Sequence, residues 1–213
     1  MTAQLWCFGE SGNAYKAALT MELAGYDWRP VHVDFFHGET RGPEFRALNE
    51  MGEVPVFRED DLTLSQSAVI QMHIADRTGR FWGQDRNETL RWLMFDNHKL
   101  SGQAGPARFL MNFVPAPKRP QAAIEYLMGR LRAAYKVLDD HLSRRDWVAG
   151  TTPSIADFAC CGYLYYPEPF GFDRAEWPHI NRWLDGIAAL PGWKHPYDLM
   201  PGNPSDRATK EDA

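Results

Sequence analysis

The chain has 213 residues, of which 44% are hydrophobic and 13% aromatic, and its 23 basic and 28 acidic side chains give a formal charge of −5. This length and apolar content allow one or two domains with a sizeable core, which excludes general disorder, and the mild acidity excludes a basic surface for nucleic acid. The N-terminus lacks a basic signal region and no apolar run approaches the ~18 residues that span a bilayer, so we expect a cytoplasmic protein without a membrane partner.

The first 78 residues alternate between strand and helix patterns. An apolar run at residues 5–8 predicts a strand, and apolar side chains from Tyr15 to Leu23 recur at helical spacing until Gly25 ends the helix. Further strands are predicted at residues 29–36, 54–57 and 62–64, and the last leads into a helix at 67–75. The predicted order is β-α-β, a β-hairpin and α, which indicates an α/β domain over residues 1–79.

No strand pattern returns after Thr78. Residues 80–88 are rich in glycine and charge and read as a linker, and apolar stripes at helical spacing then recur near residues 90–94, 124–142 and 180–187. We therefore predict an all-α domain over residues 89–213. Residues 201–213 are poor in apolar side chains and are expected to form a flexible tail.

Cysteine and histidine give no sign of a metal or redox centre. The three cysteines are Cys7, Cys160 and Cys161, an odd number without a C-x-x-C pair. The seven histidines lack the spacing of a metal site. We expect no metal, and a reducing compartment is the simplest setting.

Three segments, each at the start or end of a predicted strand, contain candidate binding or catalytic residues. Each also has a purely structural explanation. Ser11 or Asn13 could serve an anion at the start of the first helix, or simply cap that helix. Val54 could present its backbone to a ligand if the bond to Pro55 is cis, although a trans proline at a sheet edge is more common. Gln66 and Ser67 could bind the carboxylate and ammonium of a small molecule, or Ser67 could be an ordinary cap.

A fourth motif, at residues 151–158, is interpreted as folding information. Ser154 and Asp157 stand three apart before an apolar run, which is typical of a capping box with Asp in place of Glu. Asp157 is therefore not assigned a catalytic role.

Taken in order, these motifs resemble those of the cytosolic glutathione S-transferases, in particular serine-type bacterial members of the theta or zeta kind. The resemblance rests on residues 11–16, 38–45 leading into Leu48 and Asn49, 53–56, 66–70 and the capping box, and it covers the chain from about Leu5 to Pro201. It implies a thioredoxin-like glutathione-binding domain followed by a helical domain that lines the electrophile pocket. It also implies a homodimer, with glutathione as cosubstrate and detoxification as a role.

The resemblance assigns roles to particular residues. Ser11, with Asn13 as a second donor, would stabilise the glutathione thiolate, and a cis Val54–Pro55 would pair with the cysteinyl group. The predicted glutathione-binding residues are Thr40, Arg41, Glu53, Val54, Pro55, Gln66 and Ser67. Glu53 stands where a lysine or glutamine is common, so the glycyl carboxylate would be held by Thr40, Arg41 or His37 instead. The electrophile pocket would be walled by Phe109, Phe113, Tyr165 and Tyr166.

Several functions are compatible with this apparatus. The first is transfer of glutathione to a small hydrophobic electrophile, and glutathione-dependent isomerase, dehalogenase or disulfide reductase chemistry would use the same thiolate. A protein of this fold that binds glutathione or another protein without catalysis is the alternative from a different class, and Glu50 and Glu53 favour it. The position of Cys7 in the strand, before the turn, disfavours cysteine-based disulfide chemistry.

Overall fold

The computed structural model describes residues 2–167, 172–202 and 204. They form two compact units: the N-terminal unit, residues 1–80 together with 191–213, and the helical unit, residues 81–190. This division differs from the predicted one at the linker, residues 80–88, and after residue 190. The segment after residue 190 was expected to belong to the helical domain, whereas it groups with the N-terminal unit.

The N-terminal unit has a thioredoxin-like order of strands and helices, as predicted. Its elements are β1 (Ala3–Cys7), α1 (Gly12–Ala24), β2 (Trp28–His32), α2 (Pro43–Leu48), β3 (Val56–Glu59), β4 (Leu62–Ser65), α3 (Ser67–Thr78) and α9 (Pro196–Leu199). The strands form one sheet in the order β2-β1-β3-β4, in which β1 runs parallel to β2 and antiparallel to β3. The sequence did not predict α2, and β2 ends four residues earlier than expected.

The core of this unit lies between the sheet and the pair α1 and α3. Leu5 and Cys7 alternate with the half-buried Trp6 along β1, so the two fully buried side chains share one face of the strand. Leu19 from α1 and Ile70 from α3 are also fully buried. This packing fixes where β1 ends and α1 begins.

The helical unit carries the longer helices. Its elements are α4 (Arg86–Phe95), α5 (Ser101–Asn112), α6 (Gln121–Leu142), α7 (Ile155–Cys160) and α8 (Pro178–Ala188), with a π-helical turn at Asp96–Leu100 joining α4 to α5. The prediction of a helical second domain is confirmed. The predicted linker at residues 80–88 is shorter than expected, because Asp85 caps α4 by accepting from the backbone N–H groups of Asn87 and Glu88.

The predicted capping box is confirmed. The Asp157 carboxyl group accepts hydrogen bonds from the backbone N–H and the hydroxyl of Ser154, each at 2.8 Å. It also accepts from Val148 N–H and from the Trp183 indole N–H, each at 2.9 Å. Asp157 is fully buried, and this burial raises the pKa of its carboxyl group. Its role is to join the start of α7 to α8 and to the chain before it.

The predicted tail is ordered where it begins. Gly202 is buried, and the carbonyl of Pro201 accepts a hydrogen bond from Gly9 N–H, so these two residues do not belong to a flexible segment. Most of the remaining tail lies outside the described residues. Among the residues that are described, no helix is long and apolar enough to cross a membrane.

Candidate functional site

Four chain segments with predicted site residues leave the sheet at the same edge. Cys7 at the end of β1 pairs with His32 at the end of β2, because these two strands are parallel. Trp6 pairs with Val56 at the start of β3, and Val56 pairs with Ser65 at the end of β4. The turns that carry Ser11, Thr40, Val54 and Gln66 therefore all begin or end at this edge, which we call the site edge.

Ser11 is the N-cap of α1. Its Oγ accepts a hydrogen bond from Ala14 N–H at 3.1 Å, and its side chain is buried. A hydroxyl has one donor and two acceptor positions, so this bond leaves the Ser11 O–H able to donate. The capping role and the role toward an anion, which the sequence left as alternatives, are thus compatible in one residue.

Asn13 stands at the second position of α1 and is half-buried. The first N–H groups of a helix have no partner within the helix and carry part of the positive end of its dipole. An anion placed beside Ser11 would therefore meet the Ser11 hydroxyl and this positive end of α1.

The peptide bond between Val54 and Pro55 is cis, as the resemblance implied. Val54 lies outside the sheet, because the β3 ladder begins only at Val56. Its backbone N–H and C=O groups therefore take no part in strand pairing. They are placed at the site edge, one residue before the buried Pro55.

Gln66 has a backbone conformation that is rare for a residue with a side chain, with φ +68° and ψ +117°. It precedes α3, makes no side-chain cap, and donates from Nε2 to the Met51 sulfur at 3.2 Å. Ser67 is the first residue of α3 and is buried. Strained backbone of this kind clusters at binding sites, and the uncapped helix start is suited to a carboxylate.

The residues predicted for the glycyl end lie on the turn after β2 and before β3. Thr40 is buried in a short 3₁₀ turn at Glu39–Arg41, whereas the side chain of Arg41 is exposed. Glu53 is exposed, and its carbonyl accepts from the Asn49 side chain at 2.8 Å. His37 is bound to Asp34 at 2.8 Å, so its ring is already engaged by a carboxylate.

The four aromatic residues predicted for the electrophile pocket differ in exposure. Phe109 is 42% exposed, and its ring lies 6.1 Å from that of the half-buried Phe113. Tyr165 donates its hydroxyl to the Leu184 carbonyl at 2.7 Å, and burial raises the pKa of this phenol. Tyr166 is buried. Phe109, Phe113 and Tyr165 therefore keep some exposed surface, whereas Tyr166 does not.

Sequence reasoning missed an aromatic cluster beside the Ser11 turn. The Phe8 and Phe35 rings are stacked at 4.9 Å, and Phe36, 38% exposed, meets Phe8 edge-on at 5.9 Å. Phe8 directly precedes the turn, and the other two follow β2 at the site edge. The adjacent pair Phe35-Phe36 after a strand was the signal in the sequence that could have indicated it.

It also missed Glu10, the residue before Ser11. Glu10 is buried, and its carboxyl group accepts a hydrogen bond from the Tyr197 hydroxyl at 2.8 Å. The two residues are 187 positions apart. No local pattern in the sequence signals such a pair.

The N-terminal unit also contains a cavity of about 430 Å³ on the side of the Glu39–Arg41 turn. It is lined by Trp6, Glu39, Gly42, Pro43, Glu44, Phe45 and Leu48. None of the predicted site residues is among them. Trp6 faces away from the buried side of β1, so the cavity belongs to the α2 side of the sheet.

All three cysteines are buried. Burial raises the pKa of the Cys7 thiol from 9.0 to about 12, which removes its thiolate at neutral pH. No group of His, Cys, Asp or Glu in the described part of the chain is arranged to hold a metal ion. Nucleophilic sulfur at the site edge would therefore have to come from a ligand.

Comparison with known proteins gives consistent matches. A model of the glutathione S-transferase N-terminal domain matches residues 1–76, and one of the C-terminal domain matches residues 107–191. Glutathione S-transferase 4 of Zea mays is 30% identical over 198 residues, 87% of each chain. The disulfide-bond oxidoreductase YfcG of Escherichia coli is 27% identical over 194 residues, 86% of this chain and 89% of that protein. A crystal structure titled as a possible glutathione S-transferase from Rhodopseudomonas palustris has a TM-score of 0.84 at 32% identity, covering 92% of this chain and 98% of that one.

Proposed function

Because the chain belongs to the glutathione S-transferase family, we propose that it binds glutathione at the site edge and activates the thiol for attack on a small hydrophobic electrophile. Its enzyme class, glutathione transferase, follows from that membership. The observation that carries the proposal is the register of the sheet. It brings the Ser11 turn, Val54 and the start of α3 to one edge, although they are far apart in sequence.

Each of these groups suits one part of glutathione. The Ser11 hydroxyl and the start of α1 meet the sulfur, and the backbone of Val54 pairs with the cysteinyl amide. Gln66, Ser67 and the uncapped start of α3 hold the γ-glutamyl carboxylate and ammonium. Thr40 and Arg41 hold the glycyl carboxylate, while the exposed Glu53 can turn its charge toward solvent.

The chemical task is to keep glutathione as the thiolate, since the thiol is a poor nucleophile. An unperturbed cysteine thiol has a pKa of about 8.5, and lowering it by about two units needs ~2.7 kcal/mol. A hydrogen bond from Ser11 to the charged sulfur contributes about 1.5–3 kcal/mol. The dipole of α1 adds up to ~1 kcal/mol. These two terms are of the required size, so no side-chain base is needed.

The electrophile is proposed to be small and apolar. Phe8, Phe35 and Phe36 form an apolar wall beside the Ser11 turn. The bound thiolate attacks the electrophilic carbon, which forms the S–C bond. A halide leaves in a substitution, or a proton from solvent completes an addition.

A second candidate is glutathione-dependent disulfide reduction, which the oxidoreductase among the similar proteins favours. The bound thiolate would attack one sulfur of a small disulfide and release the other as a thiolate, giving a mixed disulfide with glutathione. A second glutathione thiolate would then attack the glutathione sulfur of this mixed disulfide, which gives glutathione disulfide and releases the product thiol. The buried Cys7 takes no part, since its thiol holds its proton to about pH 12.

The test begins with calorimetric titration of glutathione, followed by the ultraviolet absorbance of the bound thiolate against pH. We expect binding at millimolar glutathione or below and a thiol pKa well under that of free glutathione. Ser11→Ala should raise this pKa by about one to two units, and Asn13→Ala by less. Absence of binding contradicts the proposed function. Binding with no effect of Ser11→Ala transfers the role to Asn13 or to the helix start.

Turnover assays separate the candidate activities. An activated aryl halide reports transfer, and a small dialkyl disulfide coupled to glutathione reductase reports disulfide reduction. Binding without turnover of either class of probe supports the alternative of a non-catalytic glutathione-binding protein. We further propose a cytoplasmic homodimer, as is typical of the family, which light scattering would establish from a mass twice that of the chain.

A further inference from the structure

The segment after α8 crosses the turn that precedes Ser11. We call residues 191–202 the C-terminal strap; it contains α9 and belongs to the N-terminal unit. The Pro201 carbonyl accepts from Gly9 N–H at 2.5 Å, and the Tyr197 hydroxyl donates to the Glu10 carboxyl group at 2.8 Å. Two consecutive residues of the turn are thus bound by the strap immediately before Ser11.

The strap is itself fixed along α1. The Tyr15 hydroxyl, on a fully buried side chain, donates to the Lys194 carbonyl at 2.9 Å, and the Lys194 ammonium pairs with Glu22 at 2.6 Å. At its other end, a Cβ atom on Gly202 would lie 2.6 Å from His32 Nε2, so the strap passes close against the end of β2. These contacts leave little freedom for the strap to shift relative to the turn.

The Glu10 side chain links the strap to the thiolate site, because its charge can change the pKa of a bound thiol. It is 5% exposed and is the neighbour of the residue that would contact sulfur. A negative charge close to a thiol raises the thiol pKa, because it opposes formation of a second negative charge. Loss of the Tyr197 hydroxyl removes one donor from this buried carboxylate, which then shifts or keeps a less well compensated charge. Either outcome disturbs the turn or the electrostatics beside Ser11.

We propose that Tyr197 is a positioning residue for the thiolate site: its hydroxyl holds the Glu10 carboxyl group, and the strap holds the turn, in the geometry that lets Ser11 donate to sulfur. This inference rests on the proposed function. It extends the site to a residue near the far end of the chain, which contacts neither glutathione nor the electrophile.

The test replaces Tyr197 by Phe, which removes only the hydroxyl. Tyr26→Phe is the matched control, because the Tyr26 hydroxyl donates to the Glu59 carboxyl group at 2.9 Å elsewhere in the same unit. We expect Tyr197→Phe to raise the pKa of the bound glutathione thiol by about half a unit or more, with a loss of about threefold in kcat below that pKa. KM for glutathione should stay within about twofold of the wild-type value. Tyr26→Phe should leave the thiol pKa unchanged.

A rescue experiment checks the route through Glu10. In the double variant Glu10→Gln, Tyr197→Phe the negative charge of residue 10 is absent, so we expect the thiol pKa to return toward that of the wild type. A pKa that stays as high as in Tyr197→Phe contradicts this route. Equal pKa values in Tyr197→Phe, Tyr26→Phe and the wild type overturn the inference. Failure of the wild type to bind glutathione or form the thiolate is a different result, and it overturns the proposed function.

Discussion

The indole N–H of Trp183 donates to Oδ1 of Asp157 at 2.9 Å, and both residues are almost completely buried. Asp157 also accepts from Ser154 and Val148, so one carboxyl group satisfies four donors from three parts of the helical unit. Removing such a group leaves several buried donors without partners, and each costs about 1–3 kcal/mol.

We therefore expect Asp157→Ala to lower the free energy of unfolding by about 3 kcal/mol or more. Urea unfolding followed by tryptophan fluorescence would measure the loss. Asp140→Ala is the control, because the Asp140 side chain is 65% exposed and pairs with Lys136 on the same helix; it should have little effect. A loss for Asp157→Ala no larger than for Asp140→Ala would show that the buried network is not stabilising.

Local sequence patterns predicted the capping box of Ser154 and Asp157. They also predicted most of the strands and helices of the N-terminal unit. Ser11 was recognised as a candidate cap and Ser154 with Asp157 as a capping box, because three or four neighbouring residues determine such motifs. The sequence does not reveal helix α2, because it has only six residues and begins with Pro43 directly after Gly42, a pair that is typical of a turn.

The contacts of the strap could not be predicted from the sequence, for a different reason. Composition predicted a flexible tail from residue 201, yet the partners of Pro201 and Tyr197 are Gly9 and Glu10, at the opposite end of the sequence. Contacts at that separation depend on the assembled sheet and α1. The site edge likewise depends on the register of four strands, which local patterns do not determine. The resemblance indicated only which turns carry site residues.

A second prediction concerns Gly52, between α2 and β3. Its φ is +66°, and a Cβ atom there would lie 2.9 Å from the Thr40 carbonyl oxygen. Gly25, the C-cap of α1, has a similar φ of +67° but no such atom within 4 Å. Gly25→Ala therefore carries only the strain of the left-handed conformation, about 1–2 kcal/mol. Gly52→Ala carries the same strain and must also displace the backbone at Thr40.

We expect Gly52→Ala to cost about 2–5 kcal/mol, since overpacking adds about 1–3 kcal/mol to the strain. It should also weaken glutathione binding, whereas Gly25→Ala should not, because Thr40 is in the proposed glycyl site. Urea unfolding and calorimetry on both variants test this. If both variants have equal stability and unchanged affinity for glutathione, the backbone at Thr40 can shift to accept the added Cβ atom without cost.

A third prediction concerns Cys7. With its thiol pKa at about 12, the native protein should not react with iodoacetamide at Cys7 at neutral pH, and Cys7→Ala should retain glutathione conjugation. Above about pH 9 the unfolded chain releases this proton while the native state keeps it. The wild type should therefore lose stability with rising pH more steeply than Cys7→Ala. Mass spectrometry that finds rapid alkylation of native Cys7 would contradict the assignment.

The fourth prediction concerns His141 in the helical unit. Its ring lies 4.5 Å from that of Trp92, its Nε2 lies 3.0 Å from the Val148 carbonyl, and burial lowers its pKa. A histidine with a lowered pKa in the native state contributes stability above its unfolded pKa, about 6.5, and loses it as pH falls through the native pKa. The reason is that the unfolded state binds the proton first.

Stability should therefore fall between about pH 7 and 5 more in the wild type than in His141→Gln, whose side chain does not titrate and can still donate to the Val148 carbonyl. Urea unfolding at several pH values measures the difference. Parallel curves for the wild type and His141→Gln would show that the His141 ring accepts a proton in the native state as readily as in the unfolded one.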